Sequence, residues 1–330
     1  MILNWSRRSI LDLSICAALA PILLSCSHRP ASDRLPRIGF MIGEGYPTME
    51  AAFFAELARL GYVVGDDLIV ETRRSRDSAQ LQSQAAELAA MDLDLLVAAA
   101  LPQALAVRTA NPNMPMVVGT APGLVSNGFA SSLDRPGGIV TGMDELPEGV
   151  TGRRLGYLHA AVPGLSRVAL LSTTPGRGGH EAQLADAEEA AAELGLAVTP
   201  YRAANPAEVE TALAAIASDR MDGLVNFQGG LSLGRRHAIV RFLEARRIPA
   251  IYQSRHFVEA GGLMAYAPDQ DEQFRMAARY VDRILRGARP GDLPIRHPSH
   301  YYLTVSRSAA AAIGLTLSPD FLSRADFVVA

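Results

Sequence analysis

From Arg37 the chain alternates short apolar runs with longer alanine-rich ones: RIGFMI (37–42), MEAAFFAELARLG (49–61), LIVETR (68–73), SAQLQSQAAELAAM (78–91) and DLLVAA (94–99). The long runs place Phe53, Leu57 and Leu60, and again Leu81, Leu88 and Met91, close to one stripe at about 3.6 residues per turn, which predicts helices with one buried face. The short runs predict strands. Strands that alternate with helices imply a parallel sheet covered on both sides.

The pattern then repeats. RIGFMI, a helix, LGYVV (60–64), DLLVAA and MPMVVGT (114–120) are followed in the same order by RVALLS (167–172), a helix, LGLAV (194–198), DGLVNF (222–227) and IPAIYQ (248–253). Gly61 and Gly195 stand where a helix must turn into the next strand. Asp94 and Asp222 precede corresponding apolar runs, and Pro115 and Pro249 sit at strand starts, where a missing N–H is tolerated. The prediction is an α/β protein of two doubly wound, Rossmann-like lobes joined by a hinge. RPGGIVTGMDELPEG (135–149) and AYAPDQ (265–270) are the expected crossings between the lobes. In such sheets ligands bind beyond the carboxyl ends of the strands, so two facing lobes form a clamp that the crossings allow to close.

The first residues change the picture of where this happens. Arg7 and Arg8 precede an apolar run from Ile10 to Leu24, which is shorter than the roughly 20 residues that span a bilayer as a helix. It predicts a removable leader. SRRSIL (6–11) approaches a twin-arginine signal, and LLSC (23–26) fits a lipoprotein cleavage box with Cys26 as the lipidated residue. Cleavage there removes Cys16, so no disulfide is expected within the remaining chain. It also removes Arg7, Arg8 and Asp12, which moves the formal net charge from −3 to about −4. That balance points away from a nucleic-acid partner. All 31 basic residues are arginine. The lack of lysine excludes a Walker-type phosphate loop, a Schiff base and a Ser-Lys dyad, each of which needs an amine.

Several motifs suggest chemistry. GLSLG (230–234) matches the G-x-S-x-G nucleophile elbow between a strand and a helix, and Asp269 or Asp271 and then His297 or His300 follow in the order of an α/β hydrolase. A secreted serine hydrolase is therefore the alternative to a binding protein. TTPGRGGHE (173–181) and LPQALAVR (101–108) both open helices after strands and could present backbone N–H groups to an anion. The seven histidines show no metal-ligand spacing. No cofactor is called for. In IYQSRHFVEAGGLMAYAP (251–268), Tyr252 and Gln253 end a strand and are expected to face the cleft. Arg255 and Glu259 form an i, i+4 pair on a short helix that ends at Gly261 and Gly262, and Tyr266 is expected at the hinge.

YQSRHFVEAGGLMAYAPD, FRMAARYVDRILRGARPGDLPI and SLDRPGGIVTGMDEL resemble the ABC transporter substrate-binding protein family of the type I periplasmic binding protein fold, in the branch with tryptophan- and tyrosine-binding members. The resemblance runs from Arg37 to Val329. It implies a receptor outside the cytoplasm, tethered by lipid on Cys26, that captures a small organic solute between its lobes and passes it to an ABC permease. A ligand sensor for a membrane receptor is the other role such a chain can serve. The implied division is a leader over 1–25, lobe I over 36–146 and 267–292, and lobe II over 147–266 and 293–330. By position, the resemblance assigns ligand contacts to Gly43, Glu44, Leu101, Pro102, Gln103, Thr120, Ala121, Thr174, Pro175, Gln228, Gly229 and Tyr252. Two departures bear on the ligand: the family commonly carries Asp where Ala121 stands, and another Asp where Gly229 stands. Loss of each acid removes a charge-assisted hydrogen bond worth about 1.5–3 kcal/mol to a ligand ammonium. An α-amino acid is weakened as the ligand unless Glu44 faces the cleft and compensates.

Overall fold

The structure is a computed structural model and describes residues 34–43, 47–75, 78–173, 179–227 and 229–330. Chain order begins β1 (Arg37–Gly43), α1 (Pro47–Arg59), β2 (Ile69–Ser75), α2 (Ser78–Ala89), β3 (Leu95–Ala100), α3 (Leu101–Ala110), β4 (Met116–Ala121) and β5 (Val140–Asp144). These strands form a parallel five-stranded sheet in the order β2-β1-β3-β4-β5. Apolar residues on both of its faces, among them Phe40, Val97 and Met41, Val118, are fully buried, as expected of a sheet covered by helices on two sides.

The second lobe follows with α4 (Val150–Ala161), β6 (Arg167–Ser172), α5 (His180–Leu194), β7 (Ala197–Arg202), α6 (Pro206–Ser218), β8 (Gly223–Asn226), α7 (Gly230–Gly234), α8 (Arg236–Ala245), β9 (Ala250–Tyr252), α9 (His256–Glu259) and β10 (Met264–Pro268). The chain crosses back for α10 (Gln270–Leu285), which packs on lobe I through Phe274, Ala277, Ala278 and Val281. It then returns for β11 (Tyr301–Ser306), α11 (Arg307–Ala312), α12 (Pro319–Ser323) and β12 (Phe327–Val329). The second sheet has the order β7-β6-β8-β9-β10-β11-β12, and within it β11 runs antiparallel to β10.

Local chemistry accounts for the boundaries. Gly61 and Gly195 take left-handed backbone (φ 97° and 69°) after α1 and α5. The Asn205 side chain accepts from Glu208 N at the start of α6, and the Asp269 carboxylate accepts from Asp271 N and Glu272 N at the start of α10, which satisfies otherwise orphaned donors. The repeat extends to a hydrogen bond: Asp94 accepts from Arg37 N at 2.8 Å in lobe I, and Asp222 accepts from Arg167 N at 2.8 Å in lobe II. Each acid ties its strand to the first strand of its own lobe.

Two segments differ from the expected crossings. RPGGIVTGMDELPEG contains β5, a full member of the lobe I sheet. Gly142, with φ 147°, lies so close to β4 that an added Cβ would stand 2.1 Å from the Val118 carbonyl oxygen. AYAPDQ likewise contains most of β10, a lobe II strand, and the crossing proper falls between Pro268 and Gln270. The third crossing begins later than 293, because Leu293 and Ile295 pack into the cores of lobe I. Arg296 bridges to Met143 before Tyr301 starts β11.

Candidate functional site

The carboxyl ends of both sheets face a cavity of about 480 Å³, part of it open to solvent. Lobe I contributes Ala100, Leu101, Pro102, Thr120, Pro122 and Glu145, lobe II contributes Gly229, Gly230, Leu233, Gln253 and Ser254, and Gln270 lines it from the start of α10. Contacts across the cleft are close. A Cβ built on Gly179 would lie 2.8 Å from Pro122 Cβ. Arg255 in lobe II pairs with Asp271 at 3.0 Å, and the Ser254 hydroxyl donates to Gln270 Oε1 at 2.8 Å.

Leu101, Pro102, Thr120 and Gly229 thus lie together in one wall-to-wall site. Gln103 is buried one step along α3, and its Oε1 has no hydrogen-bond partner. Gly43 ends β1 without lining the cavity. Ala121 is fully buried in the lobe I core, and its carbonyl accepts from Glu145 N at 3.0 Å. Glu44, Thr174, Pro175, Gln228 and Cys26 lie outside the described residues.

Tyr252 is corrected. Its ring is 1% exposed and stacks on Phe257 at 4.4 Å in the lobe II core, so it belongs to packing and not to the cleft. Burial raises its phenol pKa. Its successors Gln253 and Ser254 reach the cavity instead.

Glu145 is an acidic residue at the cavity that the expected site did not include. It follows β5 directly and is 3% exposed. The neighbouring Asp144 plays a different part. Its carboxylate accepts from Gly123 N at 3.0 Å and Leu124 N at 2.9 Å and holds the loop after β4. The strand-end position of both acids was the available signal, hidden because 135–149 reads as a connection.

At the lobe II rim the polar groups bond to each other. Asn226 Nδ2 donates to Gln253 Oε1 at 2.7 Å and to Ser232 Oγ at 3.2 Å, and Gln253 Nε2 donates to Ser232 Oγ at 3.2 Å. The Ser232 hydroxyl donates to the Gly229 carbonyl at 2.9 Å. The serine of GLSLG is therefore fully buried and held by amides, whereas His297 bonds to the Asp144 carbonyl and His300 to Ser299. The elbow has the strand–helix context of a hydrolase, but no imidazole contacts its hydroxyl among the described residues. Beside this network Ser172 Oγ and His180 Nδ1 share a 2.7 Å hydrogen bond. Burial lowers the His180 pKa, opposed by Glu181 at 3.7 Å and assisted by Arg202.

No group of three His, Cys, Asp or Glu side chains among the described residues could hold a metal ion, and no described helix is long and apolar enough to cross a membrane.

A two-lobed α/β clamp with its cavity at the strand ends defines the class of bilobed solute receptors. The chain belongs to the ABC transporter substrate-binding protein family, whose profile matches residues 42–329. It is 21% identical to a tyrosine-binding protein of Clostridioides difficile strain R20291, over 95% of this chain and 94% of that one. Its fold matches an ABC domain in complex with L-Trp from Streptococcus pneumoniae, with a TM-score of 0.83 and 20% identity over 90% of this chain and 100% of that one. It also matches the ligand-free, open structure of a substrate-binding protein from Clostridium difficile, with a TM-score of 0.64 and 19% identity over 89% and 99%.

Proposed function

We propose that this chain binds one small organic solute in the inter-lobe cavity, outside the cytoplasm, and presents it to an ABC permease. The observation that carries this is the cavity itself, walled by strand ends of both lobes, so that a bound molecule bridges them and favours the closed form. Leu101, Pro102, Thr120, Gly229 and Gln253 are the proposed contacts, with Glu145 as the group that meets a positive charge on the ligand. Glu145 restores the negative charge missing at Ala121 and Gly229. An amine-bearing solute, as bound by the tryptophan- and tyrosine-binding relatives, is therefore again compatible with the site. Lipid on Cys26 is the proposed tether.

Mass spectrometry of ligand released from the purified protein, followed by calorimetry with L-tyrosine, L-tryptophan and neutral sugars, tests this. Saturable one-to-one binding that Glu145→Gln weakens about tenfold or more is expected, by loss of a charge-assisted hydrogen bond. Steady product formation that disappears in Ser232→Ala would favour the hydrolase instead.

A further inference from the structure

Gly179 caps the start of α5 with left-handed backbone (φ 84°) and meets the opposite lobe there. A Cβ at this position would stand 2.8 Å from Pro122 Cβ and 3.4 Å from Leu146 Cδ2, both on the lobe I side of the cleft. Left-handed backbone does not by itself require such closeness. Gly195, at the other end of the same helix with φ 69°, has open space where a Cβ would lie.

Both halves of the contact are braced. In lobe II the Gly179 carbonyl accepts from Gln183 N and from Gln183 Nε2, each at 3.0 Å, and Gln183 is buried. In lobe I the buried Asp144 carboxylate accepts from Leu146 N at 3.2 Å as well as from Gly123 N and Leu124 N. One acid thus holds both pieces of chain that Gly179 meets. Asn127 Nδ2 adds a bond to the Pro122 carbonyl at 3.1 Å. The nearest atom to the missing Cβ belongs to a proline ring, which has no rotamer through which to give way. Pro122 also lines the cavity, so the point where the lobes meet is part of the wall.

We propose that Gly179 and Pro122 form the closing stop of the clamp, which makes Gly179 a specificity-determining residue: its missing Cβ fixes how far the lobes approach, and so the size of solute that both can touch at once. Asp144 is the positioning residue for the lobe I half. This rests on the solute-binding function above, but the stop is also tested without a solute.

Gly179→Ala adds the one atom that props the cleft. In calorimetry it is expected to weaken binding of L-tyrosine about tenfold and to shift the affinity ratio about threefold or more towards the larger L-tryptophan. Gly195→Ala, with comparable left-handed backbone and open space, should change either affinity less than about twofold. Wild-type affinities in Gly179→Ala, an equal loss for both amino acids, or the same loss in Gly195→Ala overturns the proposal.

The second measurement is a cross-link. Pro122→Cys combined with Gly179→Cys puts two thiols at the stop, and a disulfide, with Cβ atoms about 3.5–4.5 Å apart, needs only a slight withdrawal from it. Mild oxidation is expected to link most of the protein, as identified by peptide mass spectrometry. Asp144→Asn, folded by circular dichroism, should lower the yield at least about threefold, because the loops that carry Pro122 and Leu146 lose a shared acceptor. Absence of the link overturns the stop, and an unchanged yield overturns the role of Asp144. If Asp144→Asn fails to fold, Asp144→Glu, whose longer side chain displaces both loops, decides in the same way. Failure of both amino acids to bind wild type would count against them as solutes and leave the link to decide the stop.

Discussion

The two rims of the cleft are built from the same repeat but finished differently. In lobe II, Asn226, Ser232 and Gln253 are each about 1% exposed or less and are cross-linked by side-chain hydrogen bonds, with the Ser172–His180 pair beside them. In lobe I, Thr120 Oγ1 and Gln103 Oε1 are buried without a hydrogen-bond partner, next to the apolar Leu101 and Pro102. Cross-linked side chains of this kind hold one another in one arrangement, although Asn226 Oδ1 and His180 Nε2 are themselves buried without a hydrogen-bond partner. Unsatisfied groups at a cavity are the ones a ligand can reward, since their desolvation cost is already present in the empty protein. Lobe II thus offers a cross-linked platform, and lobe I offers the open valence at the cavity wall itself, the Thr120 hydroxyl.

The largest expected effect breaks the platform. Asn226→Leu leaves Gln253 Oε1 without its amide donor, removes one of the two amide donors to Ser232 Oγ and should destabilise the protein by about 2–4 kcal/mol, read from chemical denaturation, together with loss of solute binding. A cost below about 1 kcal/mol would show that the lobe II network does not carry the rigidity assigned to it. The same rim has a pH signature. His180 is held neutral by burial, so its folded pKa lies below the 6.5 of the unfolded chain. The stability this contributes is complete above about pH 6.5 and is lost as pH falls towards the folded value, with a slope of at most about 1.4 kcal/mol per pH unit. His180→Gln should flatten the stability profile between about pH 7 and 5, and an unchanged slope would place the titrating group elsewhere.

Periodicity and repeat made the lobes readable. Asp94 and Asp222 stand at equivalent positions because each accepts from the first strand of its lobe, and Gly61 and Gly195 because each must turn a helix end. What periodicity could not resolve was depth and facing. β5 and β10 are each five residues long and flanked by Gly and Pro, so they look like connections, and Glu145 was hidden with β5. Tyr252 is at the predicted sheet end, but β9 has three residues and its alternation sends the ring into the core. Gly262 opens the slot for it: a Cβ there would stand 2.7 Å from the Tyr252 ring. That pairing joins residues ten apart through a turn and a helix, and no periodic pattern records it. GLSLG had the right context for a nucleophile, but context does not tell that Asn226 and Gln253 meet its hydroxyl.

The smallest effect on the empty protein is the one that separates the rims. Thr120 is the penultimate residue of β4, at the cavity wall, 4% exposed, with its hydroxyl unmatched. Thr120→Val keeps the shape and removes only the polar atom. If the lobe I rim is open as described, the empty protein should be unchanged or more stable by up to about 1 kcal/mol, the opposite sign from Asn226→Leu. Solute affinity measured by calorimetry should fall about 3- to 10-fold, the loss of one neutral hydrogen bond. A destabilisation of the empty protein beyond about 1 kcal/mol would instead make the hydroxyl part of a structural network. The two rims would then differ in sequence only, and the division between platform and open valence would fail.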